Sequence, residues 1–202
     1  MPSPRVTSFF EEQQRHLSRN VTAPQFATFV PLMDEVYEAA FAARPVPMEA
    51  VVFQLLVLCH RAFLIAVSII ARGHPDDDAC ATRRALEMAK VAFAVSYNPD
   101  NMTAWLAYEE RSQRWQARDA GSKPKPVFPR FDLPTEHANL NTVGHWIGIL
   151  SDSAVHFTPE YLDGYDFQRR EHDYFLPYFV TNQDDLDRAL RTCSACHIVI
   201  LN

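Results

Sequence analysis

Residues 51–71, VVFQLLVLCHRAFLIAVSIIA, are the stretch that most limits what this chain can fold into. The run has about the length of a membrane-spanning helix, roughly 20 residues. Gln54, His60 and Arg61 interrupt it, and the last two fall near its centre, where an unpaired charge in lipid is costly. An apolar helix with a polar middle belongs at the centre of a bundle, covered by other helices on most of its faces. The expectation is therefore a core helix over Pro47–Arg72 and no membrane span.

The flanking sequence agrees with a bundle. Arg44-Pro45-Val46-Pro47 breaks the chain before this helix, and Gly73-His74-Pro75 ends it. Upstream, residues 4–19 predict a first helix. From Pro24 to Ala43, Phe26, Phe29, Val30, Met33, Val36, Tyr37, Ala40 and Phe41 recur at helical spacing, with Pro31 as a candidate kink. Downstream, Asp76-Asp77-Asp78 place negative charge at the start of a helix reaching Tyr97, where the helix dipole favours it. Asn98-Pro99-Asp100 is a turn, and Asn101–Ala120 carries a further amphipathic helix. A last helix follows the cap-like run Thr181–Asp185. The connections at 44–47, 73–75 and 98–100 are short, which makes neighbouring helices antiparallel.

Two stretches depart from this pattern. Residues 121–134 form a proline-rich connector that cannot be regular structure. Over 164–180, Tyr165, Phe167, Tyr174, Phe175, Tyr178 and Phe179 flank a charged centre, which predicts a β-hairpin-like insertion. The fold expected is mainly α: an antiparallel helical bundle with a small aromatic hairpin-like insertion, in one domain over residues 1–202. The apolar end Ile198–Leu201 is either buried or marks a piece of something longer.

Composition narrows the class. Hydrophobic residues at 48% with charged residues at 22% describe a globular chain, and 5 glycines against 14 prolines favour helices punctuated by prolines over many tight turns. A net charge of −6 disfavours broad electrostatic attraction to nucleic acid but leaves room for a local basic patch. The N-terminus has no apolar core of signal-peptide length, and Cys59 and Cys80 sit in apolar helical patterns. A reducing, cytoplasmic setting with free thiols is expected.

Four constellations carry potential chemistry. Asp152 and His156 stand at i and i+4 and share a helix face, so the carboxylate can orient the imidazole for acid–base work. With His145 about two turns earlier, the same residues are a candidate metal set. Arg83, Arg84 and Glu87 follow on another helix, where Arg83 and Glu87 can pair and an inward arginine needs a partner such as Asp152. Cys193-Ser194-Ala195-Cys196-His197 has the spacing of covalent haem attachment, but without export it reads as packing cysteines. Arg191 and His197 in the same window have the spacing of an arginine–histidine ribonuclease pair, in which the histidine would act as base and the arginine would hold phosphate. Trp105, Tyr108 and Trp115, interleaved with Arg111, Arg114 and Arg118, are read as core aromatics with a salt-bridged outer face, the alternative being a nucleic-acid stacking surface. No cofactor motif is legible.

Ala81–Pro99 (ATRRALEMAKVAFAVSYNP) and Ile149–Tyr161 (ILSDSAVHFTPEY) together resemble bacterial helical-bundle proteins of HEPN-like type. Arg84, Glu87, Ser151, Asp152 and His156 carry the match, which covers about a third of the chain. The resemblance implies an all-helical and commonly dimeric bundle. Some such proteins are metal-independent ribonucleases of defence or toxin systems, while others are inactive scaffolds or nucleotide-binding modules. The active pattern has an arginine shortly before the histidine. None precedes His156 at that distance, whereas Arg191 and His197 have the spacing. The expected function is a non-catalytic binding or interaction module of HEPN-like kind, with a ribonuclease and a metal-binding bundle as alternatives. A homodimer, and RNA or a nucleotide, are the partners considered.

Overall fold

The computed structural model of the chain describes residues 4–42, 50–75, 77–116, 127–131, 134, 137–151, 168–170, 173–175, 179 and 182–201. Among these, seven helices form a bundle: α1 Pro4–Asn20, α2 Pro24–Ala42, α3 Ala50–Ala71, α4 Asp78–Tyr97, α5 Pro99–Gln116, α6 Ala138–Leu150 and α7 Gln183–Leu201. The chain is mainly α, as the periodicity predicts. Gln168–Arg170 pairs antiparallel with Asp173–Phe175. The aromatic side chains expected to build an insertion over 164–180 lie outside the described residues, Phe179 excepted.

The turn after α3 sets the architecture. Gly73 takes a φ of 87°, a left-handed conformation open to glycine at little cost. Its N–H bonds the Ile70 carbonyl at 2.9 Å, and that of His74 bonds the Ile69 carbonyl at 3.2 Å. This 5→2 and 6→1 pair is a Schellman cap, which satisfies the last carbonyls of α3 and reverses the chain. Helix α4 then runs back along α3 in the most extensive helix pairing of the fold. A second tight link follows α4. Asn98 accepts from the Asp100 N–H at 2.9 Å, and Asn101 donates from its amide to the Ala94 carbonyl at 3.0 Å. Asn98 therefore caps α5 with Pro99 in the first helical position, and α5 begins there rather than at Asn101.

The core divides into three clusters around this hairpin. Phe26, Met33 and Tyr37 of α2 pack with Cys59, Phe63, Ala66 and Ile70 of α3 and with Leu186, Leu190 and Cys193 of α7. Val52 and Leu55 at the start of α3 meet Val91, Ala92 and Val95 near the end of α4. Leu86 of α4, Val143 and Leu150 of α6 and Cys196 of α7 make the third. By length and composition α3 would pass for a membrane span, but its inner face supplies buried residues to two of these clusters. Gln54, Val57, Leu58, Arg61, Leu64 and Ile65 are exposed along its outer side.

Polar contacts tie the periphery to the hairpin. Asn20 at the end of α1, fully buried, donates to the Ala71 carbonyl at 3.0 Å. His16 stacks on Phe179 with ring centroids 5.0 Å apart, and Phe179 also packs on Phe9 and His74. Pro31 lies inside α2, a helix that continues through it to Ala42. Cys59 is buried as its apolar surroundings predict, whereas Cys80, at the outer side of the first turn of α4, is exposed.

Phe63 is fully buried where α2, α3 and α7 meet. Phe63→Ala is expected to cost about 3–5 kcal/mol of unfolding free energy by urea titration with an unchanged m value. A loss well under about 1 kcal/mol would mean that the cluster is not the close-packed core described.

Candidate functional site

A cavity of about 830 Å³ opens on the side of α4 that faces α5, floored by Leu55, Met88, Val91 and Ile147. Residues 127–131, with Pro129 at their middle, run without regular structure. They bring Phe128 and Phe131 onto Trp105, at centroid distances of 5.8 and 6.5 Å, and Phe128 onto Tyr108 at 5.2 Å. The edge-on geometry of Trp105 and Tyr108 against Phe128, at 73° and 69°, is the arrangement aromatic quadrupoles favour. One wall of the cavity is thus aromatic.

The other wall is charged. Arg84, Glu87 and Lys90 of α4 line it together with Arg130 of the connector. Arg84, Glu87, Met88 and Val91 stand at i, i+3, i+4 and i+7, so one helical stripe supplies both floor and rim. Glu87 is paired with Arg83, Nη2 to Oε1 at 2.9 Å, an i,i+4 bridge along the outside of the helix. Arg84, Lys90 and Arg130 leave the cavity with a surplus of positive charge in an acidic protein.

The second polar feature is sealed. Tyr37 Oη lies 2.5 Å from His197 Nδ1, and both residues are fully buried. Phe63 packs edge-on against the imidazole at 5.1 Å, and His60 stacks on Tyr37 at 4.6 Å while bonding Asp34 at 2.8 Å near the surface. Burial holds the His197 imidazole down to about 3, with the nearby His60 adding to the effect, and the same burial raises the Tyr37 hydroxyl far above its ordinary range. Both groups are neutral at physiological pH. His197 Nε2 is buried without a hydrogen-bond partner.

The structure separates several residues that sequence spacing grouped. Arg191 points outward from α7, its Nε 2.7 Å from Asp187 and its guanidinium 5.6 Å from the Phe29 ring centroid, whereas His197 faces the core. The two do not meet at one phosphate. Cys193 and Cys196 belong to different core clusters, and burial pushes the Cys196 thiol up to about 12 and the Cys193 thiol higher still. They are protonated packing groups. His145 is exposed on α6. Asp152, His156 and Arg118 lie outside the described residues, as do the side chains of Arg114 and Trp115. Ser151, which ends α6, bonds the Ile147 carbonyl at 2.5 Å. Among the described residues no group of three His, Cys, Asp or Glu side chains converges as a metal site.

Arg84 and Glu87 were thus legible as candidates, and Trp105 as an aromatic with a possible stacking role. Phe128, Arg130 and Phe131 were not, because nothing in a proline-rich connector says which helix it will lie against. Comparison of the chain with protein-family models, with characterised proteins and with solved structures returns no match.

The depressed His197 imidazole fixes a pH dependence. The unfolded chain takes up a proton near the ordinary value of 6.5, while the folded chain resists it down to about 3. The unfolded state therefore binds more protons over this window, and stability falls as pH drops from about 6.5 towards 3. His16 and His74, both lowered chiefly by burial, act in the same direction. Urea midpoints are expected to decline from about pH 7 to about pH 5, and the His197 ring signals in native-state NMR should not titrate across that range. A His197 titration near its ordinary value would show that the imidazole is solvated.

Proposed function

We propose that this chain is a non-catalytic binding module of HEPN-like kind, and that it holds a nucleotide in the cavity beside α4. The observation that carries the reading is the cavity itself, an aromatic wall facing a cationic one. Its volume of about 830 Å³ is of the size that encloses small organic ligands, about 300–1,000 Å³. A planar base packs against the aromatic wall of Trp105, Phe128 and Phe131 over an apolar floor. A phosphate meets Arg84, whose fork can engage two oxygens at once, together with Lys90 and Arg130. The overall charge of −6 works against a long polyanion but little against one small ligand in a locally positive site.

Two further points support the reading. Arg84 and Glu87, which carry part of the HEPN resemblance, line this cavity. The sealed His197 has no route to a ribose hydroxyl, so an arginine–histidine ribonuclease centre at Arg191 and His197 would need α7 to leave the core. In this reading the module works in a reducing cytoplasm and as a homodimer. The outer side of α3, with Val57, Leu58, Leu64 and Ile65 each 41–44% exposed, is the surface a second copy would cover.

Titration of the purified chain with adenosine monophosphate, followed by Trp105 fluorescence and by calorimetry, is expected to show saturable binding. Arg84→Met should weaken it about tenfold or more, the scale of a lost charge-assisted contact. Undiminished affinity in Arg84→Met, or no binding at millimolar nucleotide, would overturn the proposal. Cleavage of single-stranded RNA without added metal, lost in His156→Ala, would replace the non-catalytic reading with the ribonuclease one.

A further inference from the structure

Helix α1 is joined to the bundle by polar groups. Among its described side chains only His16 and Asn20 are buried, at 4% and 0% exposure, and they stand one helical turn apart. Phe9 and Leu17 are half-buried, while Val6 and Phe10 face solvent. A surface helix ordinarily docks through an apolar stripe. Here the deepest contacts of the helix are hydrogen bonds, and hydrogen bonds to a histidine depend on its protonation.

The contacts form one chain. Arg19 donates from Nη2 to His16 Nδ1 at 3.1 Å, and His16 Nε2 lies 3.3 Å from Glu12 Oε1. Because a guanidinium can only donate, Nδ1 accepts and the imidazole proton sits on Nε2, facing the carboxylate. His16 is thus seated in its neutral form. Arg19 also donates from Nε to Asn20 Oδ1 at 3.2 Å, and Asn20 donates to the Ala71 carbonyl at the end of α3 at 3.0 Å. Beside this chain, His74 Nε2 accepts from Gln13 Nε2 at 3.1 Å. The rings of His16 and His74 both lie against Phe179, each at a centroid distance of 5.0 Å.

Acid works against every link. A proton on His16 Nδ1 removes the acceptor of Arg19 and sets two cations in contact. A proton on His74 Nε2 removes the acceptor of Gln13 and adds a further charge to the same joint. The charged groups that face His16 are Arg19, Glu12 and Arg15 of its own helix together with His74, and those that face His74 are Asp77 and Arg72. Glu12 and Asp77 favour the charged rings, but burial above all, with the arginines, outweighs them and lowers both imidazoles from the ordinary 6.5.

We propose that α1 is an acid-released latch: protonation of His16 and His74 by solvent frees this helix from the end of α3 while the remaining bundle stays folded. Release returns both rings to water, where they take up protons near 6.5, so opening binds protons and is favoured as pH falls below that value. The helix can leave by itself because its hold on the core is small. Of the three core clusters it touches one, through the half-buried Leu17. Its departure bares the Gly73 turn and the ring of Phe179, a surface that is covered at neutral pH.

Amide hydrogen exchange of the full chain, resolved by NMR and expressed as protection factors between pH 7 and pH 5, tests the latch. Carboxylates ordinarily titrate below this range, near about 4. Protection over the last turns of α1 is expected to fall about tenfold or more, ahead of any loss in α3 and α4. Constant protection of α1, or a loss in step with α3 and α4 as global unfolding gives, would overturn the proposal. A double variant, His16→Gln with His74→Gln, keeps hydrogen-bonding side chains that cannot be protonated, and its α1 protection is expected to be the same at both pH values. A fall equal to that of the unaltered chain would overturn the assignment to these histidines. Should α1 of the variant be unprotected already at pH 7, the ring signals of the unaltered chain decide. The signals of His16 and His74 are expected to titrate together with the loss of α1 protection, and a completed titration with α1 still protected would overturn the latch.

Discussion

The reversal at Gly73 is the constraint on which the rest of the molecule depends. Helix α3 has an inner apolar face that must be covered, and the Schellman cap forces the next helix back along it. Once α3 and α4 lie side by side, each end of the pair offers a different apolar surface. Helices α2 and α7 close one, the start of α5 and the connector close the second, and α6 with α7 closes the third. A residue with a Cβ at position 73 would be strained in φ and would also approach the His16 ring, 3.2 Å from Nδ1. The turn therefore also shapes the seat of α1.

The cavity follows from a failure to form a helix. Residues 127–131 have no regular structure, and such a segment covers α4 less completely than a helix would. What it lacks in backbone coverage it supplies in aromatic rings, which pack on one another and on Trp105 and so remain a wall rather than collapsing into the gap. The charges at the rim stay hydrated at their outer side, because Arg84, Lys90 and Arg130 are all exposed. This combination of rigid apolar wall and hydrated cations suits a ligand with one flat end and one charged end.

Motif spacing alone was a poor guide in α7. Leu186, Leu190, Cys193 and His197 stand at i, i+4, i+7 and i+11, a single inward stripe, and all are fully buried. Arg191 is one residue off that stripe, and a shift of one residue on a helix turns a side chain by about a quarter of a turn or more. The arginine–histidine spacing is thus a consequence of one core position and one surface position, and the two cysteines are spaced as neighbouring core residues are. The Tyr37–His197 contact adds a point that no local pattern carries, since the partners are 160 residues apart. It holds α2 to α7 through a hydrogen bond between two neutral groups in an otherwise apolar cluster.

By itself the sequence determined what local forces control. Periodicity placed the helices, and Gly73 and the prolines placed their ends, because helical spacing and backbone chemistry act over a few residues; the apolar run of α3 is covered on its inner side alone, its outer side being exposed. It also singled out Arg84 and Glu87, which share a face by helical geometry alone. Tertiary structure decided which faces meet. That Phe128 and Phe131 wall a cavity against Arg84, that His197 is sealed behind Tyr37 and that Cys80 is turned outward all depend on contacts between distant segments. Those contacts are chosen by the competition of whole surfaces for burial, and no short window of sequence records its outcome.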